Sequence, residues 1–253
     1  MNSLKTRVCV GIMFALLFYS CKKEVTNADI DIGRNYFPIK VGAYIVYNVD
    51  STYYDDFYVP TKAINTKFLL KEKIQSVFND NLNRPTARLE RYIKYYDSTL
   101  VYDSIPWTLK DVWVENNTAT TAEKVEENVR FVRLVFPVKV NKSWNINSQN
   151  FLTKMDFDYK SVDLKDNVGG VAFDSVLQTL YDDGGTILTS RNYFTEKYAR
   201  NVGLIYKQEI NIQSQPDPNA SSTQLQLFYA TPILQRITSG YQYTWTIQSF
   251  GVE

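Results

Sequence analysis

The sequence predicts an all-β fold: a single domain in which a curved antiparallel meander of about ten strands forms a barrel or half-barrel, with one or two short helices. Three observations predict it. Apolar and polar residues alternate with period two along most of the chain, the pattern of strands packed on one face and wet on the other. Turn-forming clusters separate these segments at short intervals. No composition break, repeat or low-complexity tract divides residues 36–253, and 19 Tyr, 14 Phe and 4 Trp supply bulky residues that favour strands.

Taken in chain order, the first strand is expected within 43–58, entered through Pro38 and Gly42, which can bend the backbone into it. Residues 66–78 and 86–96 form the next two, joined by Asn79-Asp80-Asn81-Leu82-Asn83-Arg84-Pro85. Segments 107–115 and 129–136 follow. Between them Thr121 to Asn128, with Glu123, Lys124, Glu126 and Glu127, reads as a two-turn surface helix. From Phe151 to Tyr159 the alternation resumes, setting Phe151, Met155, Phe157 and Tyr159 against Lys154, Asp156 and Asp158.

Asp183-Gly184-Gly185 supplies the positive-φ positions of a hairpin between 171–181 and 186–194. Arg191 to Arg200 competes between strand and short helix, ending near Gly203. In 203–214, Leu204, Tyr206, Ile210 and Ile212 read as the packed face and Lys207, Glu209 and Asn211 as the wet one. Leu225, Leu227 and Tyr229 continue as a strand over 223–230, after a turn at Gln215-Pro216-Asp217-Pro218-Asn219. The last strand turns Tyr241, Tyr243, Trp245 and Ile247 inward. Clean alternation argues for antiparallel pairing, because parallel strands buried on both faces read as continuous apolar runs. A meander this wide twists and curls and presents one concave face.

Charge and composition narrow the chemistry. With 28 Lys+Arg against 27 Asp+Glu, the chain lacks the basic excess that nucleic-acid binding needs, and no nucleic-acid partner is expected. Zero histidines exclude Ser-His-Asp and Cys-His nucleophile activation and histidine-ligated zinc. There is no Gly-rich phosphate loop and no GxSxG elbow, so no cofactor, no metal and no enzymatic activity are expected.

The N-terminus reads as an export signal over residues 1–20. Lys5 and Arg7 precede a twelve-residue apolar stretch, Val8 to Tyr19, too short to span a bilayer. Leu16-Leu17-Phe18-Tyr19-Ser20-Cys21 resembles a bacterial lipobox, which implies acylation of Cys21, palmitate included, and cleavage before it; the alternative is an ordinary signal peptide with an incidental cysteine. Residues 21–35 then form the lipidated cysteine and its tether, and 36–253 the β domain. Cleavage would remove Cys9, Lys5 and Arg7, leaving 26 basic and 27 acidic residues and no free thiol for a disulfide. Lys22 after the cysteine favours, by analogy, an outer-membrane anchor; with only Glu24 acidic nearby, a periplasm-facing body is favoured over the cell surface.

Few residues single themselves out. Adjacent strand residues point to opposite faces, so one ring of Tyr53-Tyr54 and one of Tyr95-Tyr96 should lie outside; with Trp107 and Trp113 they are the candidate ligand-contacting residues. Asp156 and Asp158 share a strand face with Lys154 and Lys160 and read as a neutralised outer surface rather than a calcium site. Asp55-Asp56 and Asp182-Asp183 read as turn residues. A carboxylate-based hydrolase would need two acids facing one cleft, and no spacing selects a pair.

Tyr36-Phe37-Pro38-Ile39-Lys40-Val41-Gly42-Ala43-Tyr44-Ile45-Val46-Tyr47, together with the lipobox, resembles the opening of uncharacterised Bacteroidota-type lipoproteins, with Ile45 where Trp is usual and Ala43 where Asn is common. Tyr198-Ala199-Arg200-Asn201-Val202-Gly203-Leu204-Ile205-Tyr206-Lys207 is similar to a late strand of the same group. The resemblance implies a cell-envelope location and a β fold, and no activity. In that group, Asp-Ser/Thr-aliphatic tripeptides are O-glycosylation acceptors, which makes Ser51, Ser98, Ser104 and Ser175 candidate sites. The expected function is a non-enzymatic, lipid-anchored binding protein for an apolar ligand or envelope component. The alternative is a glycan- or protein-binding accessory lipoprotein with an exposed aromatic platform.

Overall fold

The computed structural model describes residues 30–253 apart from Val59, Ser98 and Thr186. The expected export signal, Cys21 and most of the expected tether lie outside the described residues, as does Ser98. Ile32–Glu253 form one compact unit. It contains twelve antiparallel strands: β1 (Ala43–Asp55), β2 (Lys62–Asn79), β3 (Pro85–Tyr95), β4 (Thr108–Asn117), β5 (Thr121–Glu126), β6 (Val129–Val135), β7 (Ser143–Asn145), β8 (Asp156–Val168), β9 (Val171–Asp182), β10 (Ser190–Ala199), β11 (Gly203–Gln213) and β12 (Ser239–Val252). One helix, α1 (Ser222–Ala230), lies between β11 and β12.

The sheet order is β6-β5-β4-β3-β2-β1-β12-β11-β10-β9-β8-β7, so each strand pairs with its sequence neighbour and β12 returns to pair with β1. The two free edges, β6 and β7, meet and nearly close a barrel. Val132 of β6 donates its N–H to Ile146 O at 2.9 Å, and its carbonyl accepts the Trp144 indole N–H at 2.8 Å. Asn150 Nδ2 donates to Arg130 O at 2.8 Å, and the Tyr159 hydroxyl accepts from Val135 N–H and donates to Val135 O. Edge groups that would otherwise be open to pairing with another chain are thereby satisfied.

Beside this seam lies the largest apolar cluster, built from Tyr36, Phe37, Val132, Leu134, Trp144, Phe157, Tyr159, Leu177 and Tyr198 among others. The described residues contain no cysteine, and burial of large aromatics supplies the stabilisation here. At the start of the unit, Arg200, Asp163, Ser175 and Tyr36 form a polar knot: Arg200 Nε and Nη2 lie 2.7 and 2.9 Å from Asp163, whose Oδ1 accepts from Tyr36 at 2.6 Å. Gly42 turns the chain into β1 at φ 84, where a Cβ would meet the Glu253 carbonyl oxygen at 2.3 Å.

Several sequence expectations are corrected. Residues 121–128 form β5 and its turn rather than a helix, and 191–199 belong to β10, with Arg200 in the turn after it. Conversely, 223–230 is not a strand but lies in α1, set by a capping box in which Ser221 and Gln224 each bond the other's backbone. None of its residues is buried, so the Leu225-Leu227-Tyr229 alternation was a chance match to period two. Phe151 is 87% exposed, and β8 begins only at Asp156.

Antiparallel connectivity sorts the loops by end. The end where β1 begins, here the base, also carries the β2–β3, β8–β9 and β10–β11 turns and the close of β12. The N-terminal segment joins the barrel at the base, through Val138 N–H to Ile32 O at 3.1 Å and Asn201 N–H to Asn35 O at 2.7 Å. The opposite end carries the β1–β2, β3–β4, β9–β10 and β11–β12 connections, α1 included.

Candidate functional site

A cavity of about 400 Å³ runs from the base into the barrel. Its outer part is lined mostly by apolar residues, Phe37, Pro38, Ile45, Val202, Leu204, Phe250 and Val252, with Lys40 and Asn201 at the base. Its inner end is charged: Glu72, Glu115, Glu126 and Glu196 share the lining with Lys124, Arg133 and Lys207, beside Trp113, Trp245, Tyr47 and Tyr198. Pockets of this kind, apolar with a few convergent polar groups, are the usual form of a small-molecule site.

The charged groups reach the lumen because alternate residues of β2, β3, β4, β5, β6, β10 and β11 point inward. They form a lattice. Lys124 Nζ lies 3.1 Å from both Glu72 Oε2 and Glu115 Oε1, while Arg91 joins Glu72 at 2.9 Å and Asp111 at 2.9 Å. Arg133 bonds Glu126 and lies 3.2 Å from Glu196, whose other oxygen accepts the Tyr198 hydroxyl at 2.6 Å. Lys207 pairs with Glu209 at 2.8 Å and stands 3.7 Å from Glu196. Aromatic faces cover the cations: Arg91 sits 3.5 Å over Trp113 and Lys207 5.2 Å over Trp245. A ladder of Tyr241, Tyr243 and Trp245 continues up β12, with centroids 5.7 and 5.9 Å apart.

Burial and neighbours push these acids apart. Burial disfavours the charge on Glu126, but Arg133, Lys207 and Lys124 outweigh it and hold the carboxyl at about 2. Glu72 is lowered in the same way by Lys124 and Arg91 against its desolvation. Glu115 moves upward, because desolvation and the charges of Glu72 and Glu126 exceed the help of Lys124. A carboxyl with a depressed folded-state pKa contributes stability above its unfolded value and loses it as pH falls through the folded one; a raised carboxyl contributes the reverse. Stability should therefore increase on mild acidification as Glu115 gains a proton, then drop from about pH 4.5 downward as Glu72 and Glu126 are protonated. Urea midpoints measured from pH 8 to pH 3 check this; a flat profile above pH 4.5 in a Glu115→Gln variant would assign the upper limb to Glu115.

Of the residues expected to contact a ligand, only Trp113 lines the cavity. Tyr53, Tyr95 and Tyr96 are exposed near the opposite end, and Tyr54 is half-buried against Gln242 Nε2 at 2.9 Å. Trp107, half-buried, lies under Lys94 at 5.0 Å. Tyr96 borders a shallower hollow on the outer face of β1, β2 and β12, with Asp50, Lys67, Thr244 and Gln248. Ser51 is half-buried in β1; Ser104 is exposed and donates to Val101 O; Ser175 is half-buried and bonded to Asp163. Asp156 and Asp158 pair with Lys154 and Lys160 at 2.6 and 3.0 Å, and Asp55, Asp182 and Asp183 accept turn N–H groups. Among the described residues no group of acids is arranged to hold a metal ion.

Sequence reasoning missed the lattice. The expectation that Lys207 and Glu209 face water is corrected: Lys207 is 5% exposed, inside the barrel. The two stretches quoted for their resemblance, 36–47 and 198–207, both contribute to the cavity: Phe37, Pro38, Ile45 and Tyr47 from one, Tyr198, Val202, Leu204 and Lys207 from the other.

No protein-family model and no curated protein matches the chain. Among solved structures it is similar to a Bacteroides fragilis protein described as exported and as having a YmcC-like fold. The TM-score is 0.43 at 10% identity, over 85% of this chain and 98% of that one. It is also similar to a Parabacteroides distasonis protein described as a lipoprotein, with a TM-score of 0.39 at 9% identity and the same coverage of 85% and 98%. At these scores the likeness identifies neither an activity nor a ligand.

Proposed function

We propose that this protein is a lipid-anchored, non-enzymatic binding protein of the cell envelope, whose ligand is an amphiphile held in the barrel. The observation that carries this reading is one cavity with a largely apolar outer part and a charged, aromatic-lined inner end. Such a lining complements a molecule with an alkyl portion and a polar end. A purely apolar ligand would leave the inner charges desolvated without new partners.

The anchor rests on the lipobox-like run ending at Cys21 and the charged residues after it. Acyl chains on Cys21 would hold the body at a membrane without a spanning helix. Between Cys21 and Ile32 the chain can extend at most about 40 Å, which keeps the base of the barrel within reach of the bilayer. An outer-membrane anchor with a periplasm-facing body fits Lys22, and labelling intact and lysed cells with a membrane-impermeant amine reagent tests that orientation.

Ile45→Trp places a larger ring in the outer cavity. Calorimetric titration with decanol should show saturable binding to the purified protein and at least a tenfold loss in this variant. Equal affinity in both proteins would remove the cavity as the site.

One observation favours a second reading. Glu115, raised, and Glu126, held low, face the same cavity, the separation of pKa values that a carboxylate hydrolase uses for acid and nucleophile. Both are tied to lattice cations, and the approach to them is apolar, which suits binding better than sugar hydrolysis. Turnover of nitrophenyl glycosides that disappears in Glu115→Gln would establish this reading instead.

A further inference from the structure

We propose that the ligand's polar end is a cation, a primary or quaternary ammonium, seated at Glu115 in the aromatic-lined inner end of the cavity. This rests on the amphiphile-binding reading above and specifies the chemistry of its inner end.

The pairing pattern of the lattice carries the inference. Each lattice cation meets two carboxylates: Arg91 has Glu72 and Asp111, Lys124 has Glu72 and Glu115, Arg133 has Glu126 and Glu196, and Lys207 has Glu196 and Glu209. The lattice cations are thus committed, and Lys40, the other cation of the lining, stands before β1 at the base. The carboxylates are not equally served. Glu72 has two cations, and Glu196 has two and a tyrosine hydroxyl. Glu115, Glu126 and Glu209 have one ion pair each; of the two that line the cavity, Glu115 has only Lys124, at 3.1 Å and shared with Glu72, whereas Glu126 has Arg133 with Lys207 and Lys124 also acting on it. A buried carboxylate with so little compensation is the group in the lumen that gains most from an added cation. Its raised pKa expresses the same shortage.

The surroundings suit that occupant. Glu115 is buried, lines the cavity and shares a strand face with Trp113, a further lining residue. Trp245, Tyr47 and Tyr198 line the same inner end, and aromatic rings near a carboxylate suit alkylammonium groups. An anionic head would instead meet the acid excess at the inner end and have to displace Glu72 or Glu196 from their cations.

Decylamine, decanol and decanoate share one alkyl chain and differ in head charge. Titrated calorimetrically into the purified protein at pH 7, the amine should bind at least tenfold more tightly than the alcohol, and decanoate most weakly. Glu115→Gln should abolish the amine's advantage over the alcohol. Decanoate binding as tightly as the amine, or an amine advantage unchanged in a folded Glu115→Gln protein, overturns the inference while leaving the amphiphile reading intact. Failure of all three to bind overturns both. Should Glu115→Gln fail to fold, the order of the three probes on the unaltered protein still decides.

Discussion

Replacing Arg133 with Met is expected to cost about 3–5 kcal/mol of stability, because it leaves Glu126 and Glu196 buried with their main cation removed. Arg133 is 7% exposed, so water cannot take over its role. Met approximates the length of the lost side chain, so the effect is electrostatic rather than a cavity. A double variant, Arg133→Met with Glu126→Gln, should recover part of the loss, since the stranded charge is then absent as well. Urea denaturation of the three proteins measures both effects. A single variant within 1 kcal/mol of the parent would mean that the lattice is hydrated and stabilises little.

The second large effect is expected at the seam. Trp144→Ala removes a buried ring packed on Tyr159 at 4.6 Å and Phe157 at 6.2 Å, and with it the indole hydrogen bond to Val132 O. Large-to-small changes of buried aromatics cost about 3–5 kcal/mol. Here the loss falls where, among the described residues, the bonds between β6 and the β7 side are few and local, so it should also show as opening of the barrel. Hydrogen exchange should quicken at the Val132 and Ile146 amides while β1 and β12 keep their protection. Uniform quickening across the sheet would place the weakness elsewhere.

The strands most legible in the sequence were those facing water on one side. In β12, Tyr243 and Trp245 point inward as the alternation predicts, and β9 and β10 pair on either side of Asp183-Gly184-Gly185, although β10 begins at Ser190 rather than at 186 and the connection is longer than a tight turn. The bends at Gly42 and Gly203 adopt the positive φ that glycine permits. What was not legible is the polarity of the lumen. Hydrophobic patterning assigns Lys and Glu to solvent, so the Lys207-Glu209 alternation was read as an outer face and Glu123-Lys124-Glu126 as a surface helix. A barrel of twelve strands encloses more interior than its apolar side chains fill, and charges become tolerable there once each is paired across strands. The partners of Lys124, Glu72 and Glu115, lie on β2 and β4, and no local pattern connects 72 with 124. Closure was hidden for the same reason: Trp144 and Val132 belong to edges that meet only after the whole sheet has curled.

A similar limit applied to the site. Tyr53, Tyr54, Tyr95 and Tyr96 drew notice because they are adjacent and aromatic, yet the cavity lies toward the other end of the barrel. Phe37, Ile45 and Leu204 gave no chemical signal, being ordinary apolar residues, and gain their significance only from sharing a wall.

The most direct test of the cavity as the ligand site is a crystal structure of the protein soaked with ω-bromodecanol, with the bromine located by its anomalous signal. The account predicts one bromine peak among Ile45, Leu204 and Phe250, with the hydroxyl toward Glu115 and Trp113. Bromine confined to the outer surface, with the lumen filled by its own side chains, would contradict it.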